Sequence, residues 1–248
     1  MTSYGSGSVA VFSRRPDGSL ATMTDRVQHE GHGAHPVRQT GPHPHQAVFD
    51  PVTGTLLVPD LGLDAILSYS LSSEGRLRDQ GSRITFAAGA GPRHIAFHPD
   101  GTHLFVLTEL DNSLVTLRRA ATTFTIAHTV ATLPAAFTGH SQAAAVRVSP
   151  SGQVVYASNR GHDSIAMFRF DAARHALSLA SVTATQGQQP RDFALTSDGR
   201  YLLVANQDSD SILTLRADEQ TATLEPVSTT AADTPVCLLI LDHHPGAH

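Results

Sequence analysis

One unit recurs along this chain, and it limits the fold more than any other feature. Two short apolar runs flank a polar segment rich in Gly, Asn, Asp and Ser. Val154–Ala157 and Ile165–Phe170 flank 158–164. Leu202–Ala205 and Ile212–Leu215 flank 206–211, and Leu104–Leu107 and Leu114–Leu117 flank 108–113. Leu56–Val58 and Ala65–Tyr69 flank 59–64, and the chain opens on half a copy, Tyr4–Ser8 followed by Val9–Phe12. Each pattern predicts strand, polar loop, strand. The loop differs in every copy, so function is expected to vary there.

A short alternating strand precedes each pair: 47–49, 95–97, 145–148 and 193–195. A tight turn follows it, at 50–54, 99–101, 150–152 and 197–199, with Pro, Asp or Ser starting the turn and Gly supplying positive φ. A last strand is expected to close each unit, near 83–87, 128–132, 179–184 and 224–229. Turn glycines at 101, 152 and 199 are 51 and 47 residues apart, so the period is about 50 residues with four strands. That is the signature of a β-propeller. The absence of tryptophan argues against the WD-repeat type. The expected fold is all-β, with about four complete blades plus partial blades at both ends. Residues 1–24 are an incomplete unit, and Pro235–Leu241 reads as the first strand of a further one. The expected organisation is one incomplete propeller domain over 1–241 and a disordered tail over 242–248. Residues 25–46, with five histidines, three glycines and three prolines, are too polar and broken for a core element. A loop of that length is functional or disordered.

The net charge of −5 argues against a nucleic-acid surface. All 17 basic residues are arginine, which excludes lysine Schiff-base and phosphate-loop chemistry. It leaves arginine as the permanent cation for an anionic ligand. Cys237, the single cysteine, lies in an apolar run and is expected to be buried and inert. No apolar stretch reaches membrane-spanning length and the N-terminus carries no signal pattern, so a cytoplasmic protein without membrane or nucleic-acid partners is expected.

Alternating strand directions place the linkers between blades and the loops between second and third strands at one end of every blade. That end gathers His43, His45, Arg93, His94, Glu109, Arg160, His162 and Arg191. Arginines bind carboxylate or phosphate bidentately, and a nearby glutamate or histidine can act as general base. Against this, Asp64, Asn112, Asp163 and Asp210 precede the third strand in every copy and read as turn residues. Arg93 and Arg191 recur at equivalent linker positions and could brace blades. Glu109 departs from the repeat, where the other copies place Asp60, Asn159 or Asn206. His43 and His45 have no third ligand, so no metal is expected.

Six motifs resemble the lactonase family of seven-bladed propellers, which includes propeller-type 6-phosphogluconolactonases and a muconate cyclase. They are Tyr4–Phe12, Gly41–His45, Pro59–Asp64, Gly91–Gly101, Ser158–Ser164 and Ala205–Ser211. The resemblance implies hydrolysis of 6-phospho-D-glucono-1,5-lactone to 6-phosphogluconate, in the pentose phosphate pathway, without a cofactor. It carries the family's site onto a histidine of the His43-Pro44-His45 motif, with His45 preferred, and onto Arg93, Glu109 and Arg160. His45, Glu109 and Arg160 are the expected catalytic residues. Glu109 or His45 would activate water, and Arg93 and Arg160 would hold the substrate anion and the developing oxyanion. His43, Arg93, His162 and Arg191 are the expected substrate-binding residues for a small anionic sugar lactone or carboxylate. The alternatives are a lactonizing carboxy-muconate-type cyclase and a non-enzymatic scaffold or inactive fragment. Ala145, Arg147 and Asp192 depart from the family pattern, which has a glutamate and two histidines there. Family members also begin about two blades earlier, so the chain is expected to be N-terminally truncated. A misassigned start is the preferred explanation, and a truly short chain would invite edge-to-edge self-association.

Overall fold

A computed structural model describes residues 1–241; the tail expected over 242–248 lies outside them. The first sheet is β1 (Thr2–Ser3), β2 (Ser8–Arg14) and β3 (Leu20–Gln28). The second is β4 (Val48–Phe49), β5 (Leu56–Asp60), β6 (Ala65–Leu71) and β7 (Leu77–Thr85). The third is β8 (Pro92–Phe97), β9 (His103–Thr108), β10 (Ser113–Ala120) and β11 (Thr123–Ala131). The fourth is β12 (Gln142–Val148), β13 (Val154–Arg160), β14 (Ser164–Asp171) and β15 (Ala176–Ala184). The fifth is β16 (Pro190–Leu195), β17 (Tyr201–Asn206), β18 (Ser211–Asp218) and β19 (Thr223–Ala231). Strands pair in sequence order, so each sheet is a meander of the kind expected for a blade.

The turns follow the chemistry of the repeat. Gly54, Gly101, Gly152 and Gly199 all have φ between 70° and 75°. Asp64, Asn112, Asp163 and Asp210 are left-handed, with φ between 48° and 54°. The three aspartates among them also tie down the next linker. Asp64 accepts from the amides of Gly89 and Gly91 at 2.8 Å, Asp163 from Gln189 at 2.8 Å, and Asp210 from Thr234 at 2.8 Å. The strand-three aspartate is therefore a turn former and a latch, as expected for a residue of the fold.

The chain divides into two compact units, Met1–Ala127 and the residues from His128 on. In the first, Val9, Val58, Leu67 and Tyr69 form one buried cluster and Ile66, Ile95, Leu104, Val106 and Leu117 another. Arg119 crosses between the second and third sheets to make a two-point contact with Asp50, at 2.7 and 2.8 Å, while its guanidinium covers the Phe124 ring. In the second, Val154, Tyr156, Met167, Phe193, Val204 and Leu213 pack together between the fourth and fifth sheets. Each such aliphatic or aromatic side chain contributes about 1.5–3 kcal/mol on burial.

Three expectations are corrected. The closing strands of the second and third sheets run over 77–85 and 123–131, several residues earlier than expected. These outermost strands are largely exposed, so no sustained apolar alternation marks them. Residues 235–241 form no strand, because no ladder partner meets them. Cys237 is consequently exposed, not buried. Partial burial and then the Asp192 carboxylate push its thiol pKa up.

Candidate active site in the first unit

The strand registers show which residues are equivalent in successive blades. Asp60, Thr108, Asn159 and Asn206 end the second-strand ladder, facing Ala65, Ser113, Ser164 and Ser211. Glu109 is therefore the counterpart of Leu61, Arg160 and Gln207, one position later than the sequence alignment of the repeat implied. All four ladder-ending residues are buried. Asn159 exchanges hydrogen bonds with Thr132, and Asn206 donates to the Thr185 carbonyl at 3.0 Å. These residues hold the fold, and the residue after each is free to vary.

A second variable position lies on the first strand. The register of β8 shifts between Pro92 and His94, and that of β16 between Pro190 and Asp192. Arg93 and Arg191 sit at these bulges, which re-aim a side chain at the end of a strand. Each reaches the loop position of its own blade. Arg93 Nε donates to Glu109 at 2.9 Å, and Arg191 Nη1 donates to Gln207 at 3.4 Å. The bulge in the second sheet is replaced by the isolated bridge between Pro44 and Asp60, which leaves His45 at the corresponding place.

In the first unit these positions join into a closed circuit of six side chains. Tyr4 packs edge-on against His45, with ring centroids 5.6 Å apart, and His45 packs edge-on against His94 at 5.1 Å. His94 Nε2 lies 3.2 Å from Arg93 Nη1. A guanidinium has no lone pair, so Arg93 donates, and the His94 proton resides on Nδ1. Arg93 pairs with Glu109, whose second oxygen takes a 2.5 Å contact from Arg38 Nη2. The same Arg38 nitrogen donates to the Tyr4 hydroxyl at 3.3 Å, closing the circuit. His43 joins it from outside, stacked on Tyr4 at 4.3 Å, with Nδ1 2.9 Å from the Tyr4 carbonyl. The Arg93 and Glu109 side chains are each only 2% exposed, whereas Arg38 is 29% exposed. Partial burial works against the Arg38 cation, but the Tyr4 hydroxyl and the Glu109 carboxylate outweigh it and raise its pKa.

The long loop after β3 is built to hold its part of this circuit. His29 Nδ1 lies 2.6 Å from the buried Asp60 carboxylate, and Tyr69 Oη lies 2.9 Å from His29 Nε2. Burial, together with the nearby Asp79, pushes the Tyr69 pKa up to about 12, so the phenol keeps its proton and donates it. Gln39 donates to the Leu61 carbonyl and to Asp64, both at 2.7 Å, and accepts from the His35 amide. Asp60 also accepts from the His43 amide at 2.7 Å. Arg38 and His43 thus project from a segment fastened on both sides.

The second unit carries the other expected residues. Arg160 ends β13, 8% exposed, with Nη2 3.4 Å from the Ala143 carbonyl. His162 Nδ1 lies 2.7 Å from the Ser164 hydroxyl, and its ring meets Phe137 edge-on at 4.6 Å. Between them Gly161 adopts φ 88°, and a Cβ there would stand 2.5 Å from the His140 carbonyl oxygen, so only glycine fits. Arg147 and Asp192, two of the departures from the family pattern, pair with each other at 2.9 Å. Asp192 also accepts from the Leu238 amide at 2.9 Å, fixing the middle of the segment 235–241.

A family model described as a seven-bladed β-propeller lactonase matches residues 1–240. The chain belongs to the lactonase family. A Bacillus subtilis 6-phosphogluconolactonase is 38% identical over 242 residues, 96% of this chain and 68% of that protein. A Yersinia pestis 6-phosphogluconolactonase is 34% identical over 186 residues, 74% of this chain and 55% of its own length. The crystal structure of a putative 6-phosphogluconolactonase from Bacteroides fragilis superposes with a TM-score of 0.90 at 30% identity, covering 97% of this chain and 69% of that one. A periplasmic gluconolactonase from Pseudomonas aeruginosa gives 0.85 at 31%, covering 92% and 64%. The chain therefore spans between about half and seven-tenths of the length of these relatives. No helix among its described residues is long and apolar enough to cross a membrane.

Of the residues expected from sequence, His43, His45, Arg93 and Glu109 come together in this lactonase's first unit, with His94 between them. Tyr4 and Arg38 were missed as site residues. Tyr4 was read only as part of a family motif. Arg38 lies in an irregular loop where no periodicity points to it. Its one available signal was isolation, since no other arginine occurs between Arg26 and Arg76.

Proposed function

We propose that this chain is a lactone hydrolase acting on 6-phospho-D-glucono-1,5-lactone. The observation that carries this is the circuit of Tyr4, His45, His94, Arg93, Glu109 and Arg38, which concentrates two guanidiniums and two imidazoles around one buried carboxylate. Relatives named 6-phosphogluconolactonase support the substrate.

Lactone hydrolysis adds water to the ring carbonyl carbon and then breaks the ring C–O bond. The His45 imidazole accepts the proton of the attacking water as the C–O bond forms. The oxyanion that develops is stabilised by the fixed positive charge of Arg93 and by its neighbour His94. As the tetrahedral species collapses, the ring oxygen leaves and takes the proton back from the imidazolium, which leaves a hydroxyl and a carboxylic acid; the acid then ionises, releasing the second proton of the water to solvent. Glu109 is assigned a different role from the base first expected. Both its oxygens accept from guanidiniums, and a carboxylate held so is a weak base. It fixes Arg38 and Arg93 in place.

The test is hydrolysis of the phosphorylated lactone by the purified chain, followed by proton release against the spontaneous rate. Catalysis that is lost in Arg93→Ala supports the proposal, and a rate equal to the spontaneous one refutes it. Arg160→Ala in the same assay tests whether the second unit contributes.

A further inference from the structure

Arg38 has donors to spare. Nη2 makes both of its contacts, to Tyr4 and to Glu109, while Nε and Nη1 donate to no group among the described residues. It is also the exposed guanidinium of the pair, 29% against 2% for Arg93. The Nε–H and the Nη1 hydrogens lie on different edges of the guanidinium, so Nη1 is left to give a charge-assisted hydrogen bond to an oxygen of a phosphate or carboxylate. The guanidinium is presented by a loop already fastened by Asp60, Asp64 and the Leu61 carbonyl, so little ordering remains to be done on binding.

We propose that Arg38 is the specificity-determining residue of this site and binds the dianionic phosphate of the sugar lactone through Nη1. This rests on the lactone-hydrolase reading above and names the group that the site selects. Tyr4 and Glu109 hold the guanidinium through Nη2, and Arg93 lies too deep to meet a hydrated phosphate.

The test compares kcat/KM on 6-phosphoglucono-1,5-lactone and on unphosphorylated glucono-1,5-lactone. Arg38→Gln is expected to lower the phosphorylated-to-neutral ratio on the order of 10- to 100-fold, chiefly through KM, as for loss of a charge-assisted hydrogen bond. Arg38→Lys, which keeps the charge, should recover part of that ratio. An equal fall on both substrates would overturn the proposal and leave Arg38 as a brace for Glu109. The second arm needs no catalysis: calorimetric titration with 6-phosphogluconate and with gluconate. The wild type is expected to prefer the phosphorylated acid by a similar factor and Arg38→Gln to lose the preference. Equal affinities in the wild type would overturn the proposal. A wild type that hydrolyses neither lactone but keeps the binding preference would sink the hydrolase reading while leaving the Arg38 assignment standing. Thermal unfolding of each variant checks that the fold is retained.

Discussion

Replacing Glu109 with glutamine separates a structural brace from a catalytic base. The side chain keeps its shape and loses its charge. In the folded chain that charge faces Arg93 at 2.9 Å and Arg38 at 2.5 Å, and both Glu109 and Arg93 are almost wholly buried. Removing one partner of a buried ion pair typically costs about 3–5 kcal/mol, because the remaining charge stays out of water. For a chain of this size each kcal/mol lowers Tm by about 2–4 °C, so Glu109→Gln should lower it on the order of 10 °C. The chain has no tryptophan, so the unfolding is best followed by circular dichroism. A cycle with Arg93→Met sharpens the result. The double variant should cost less than the sum of the singles by about 1–3 kcal/mol, since the two groups share one interaction. Lactonase activity should fall together with stability. A Glu109→Gln protein with unchanged Tm and no activity would refute the brace and restore Glu109 as the base.

Three further outcomes follow from local geometry. Gly161→Ala should destabilise by about 2 kcal/mol or more, against about 1 kcal/mol for Gly18→Ala, since both have φ near 88° but only Gly161 faces backbone; urea unfolding of the two variants measures the difference. Burial raises the Asp50 pKa, but the Arg119 guanidinium, the Val52 amide and the Thr53 hydroxyl more than offset it and lower it to about 2. The pair's stabilisation, about 1–2 kcal/mol after solvent screening, is therefore complete above the unfolded value near 4 and lost as pH falls towards 2; Asp50→Asn should flatten that part of the acid-unfolding curve. The Tyr156 hydroxyl is buried without a hydrogen-bond partner among the described residues, so Tyr156→Phe should leave stability unchanged or raise it by about 1 kcal/mol in the same assay.

Much of the fold is legible in the sequence because each repeat spells out its own turns. The Asp or Ser and Gly of the first turn and the left-handed residue before the third strand recur at fixed intervals, and the structure gives each the conformation those residues favour. The outer strands β7 and β11 are less legible. They bury little, and their sequences carry only weak alternation. Residues 235–241 show the converse: an apolar run satisfies local propensity, but a strand needs a partner. At the site, Glu109 could be named because it departs from the repeat, and His45 and Arg93 because their linkers reach the same end of the blades and carry motifs of the family. Their roles could not, because those depend on who touches whom. Glu109 reads as a base until two guanidiniums are found on it, and Arg38 can be placed beside it only by the path of a loop without periodicity.

The central claim is that the circuit of the first unit performs lactone hydrolysis with His45 as the proton acceptor. The most direct measurement is the single-turnover rate of 6-phosphoglucono-1,5-lactone ring opening for the wild type and His45→Gln at saturating substrate. The account predicts a rate well above the spontaneous one for the wild type. His45→Gln should lose about 100-fold or more, the usual size of a general-base contribution, with Tm and 6-phosphogluconate affinity retained. A His45→Gln protein that opens the ring as fast as the wild type would contradict it.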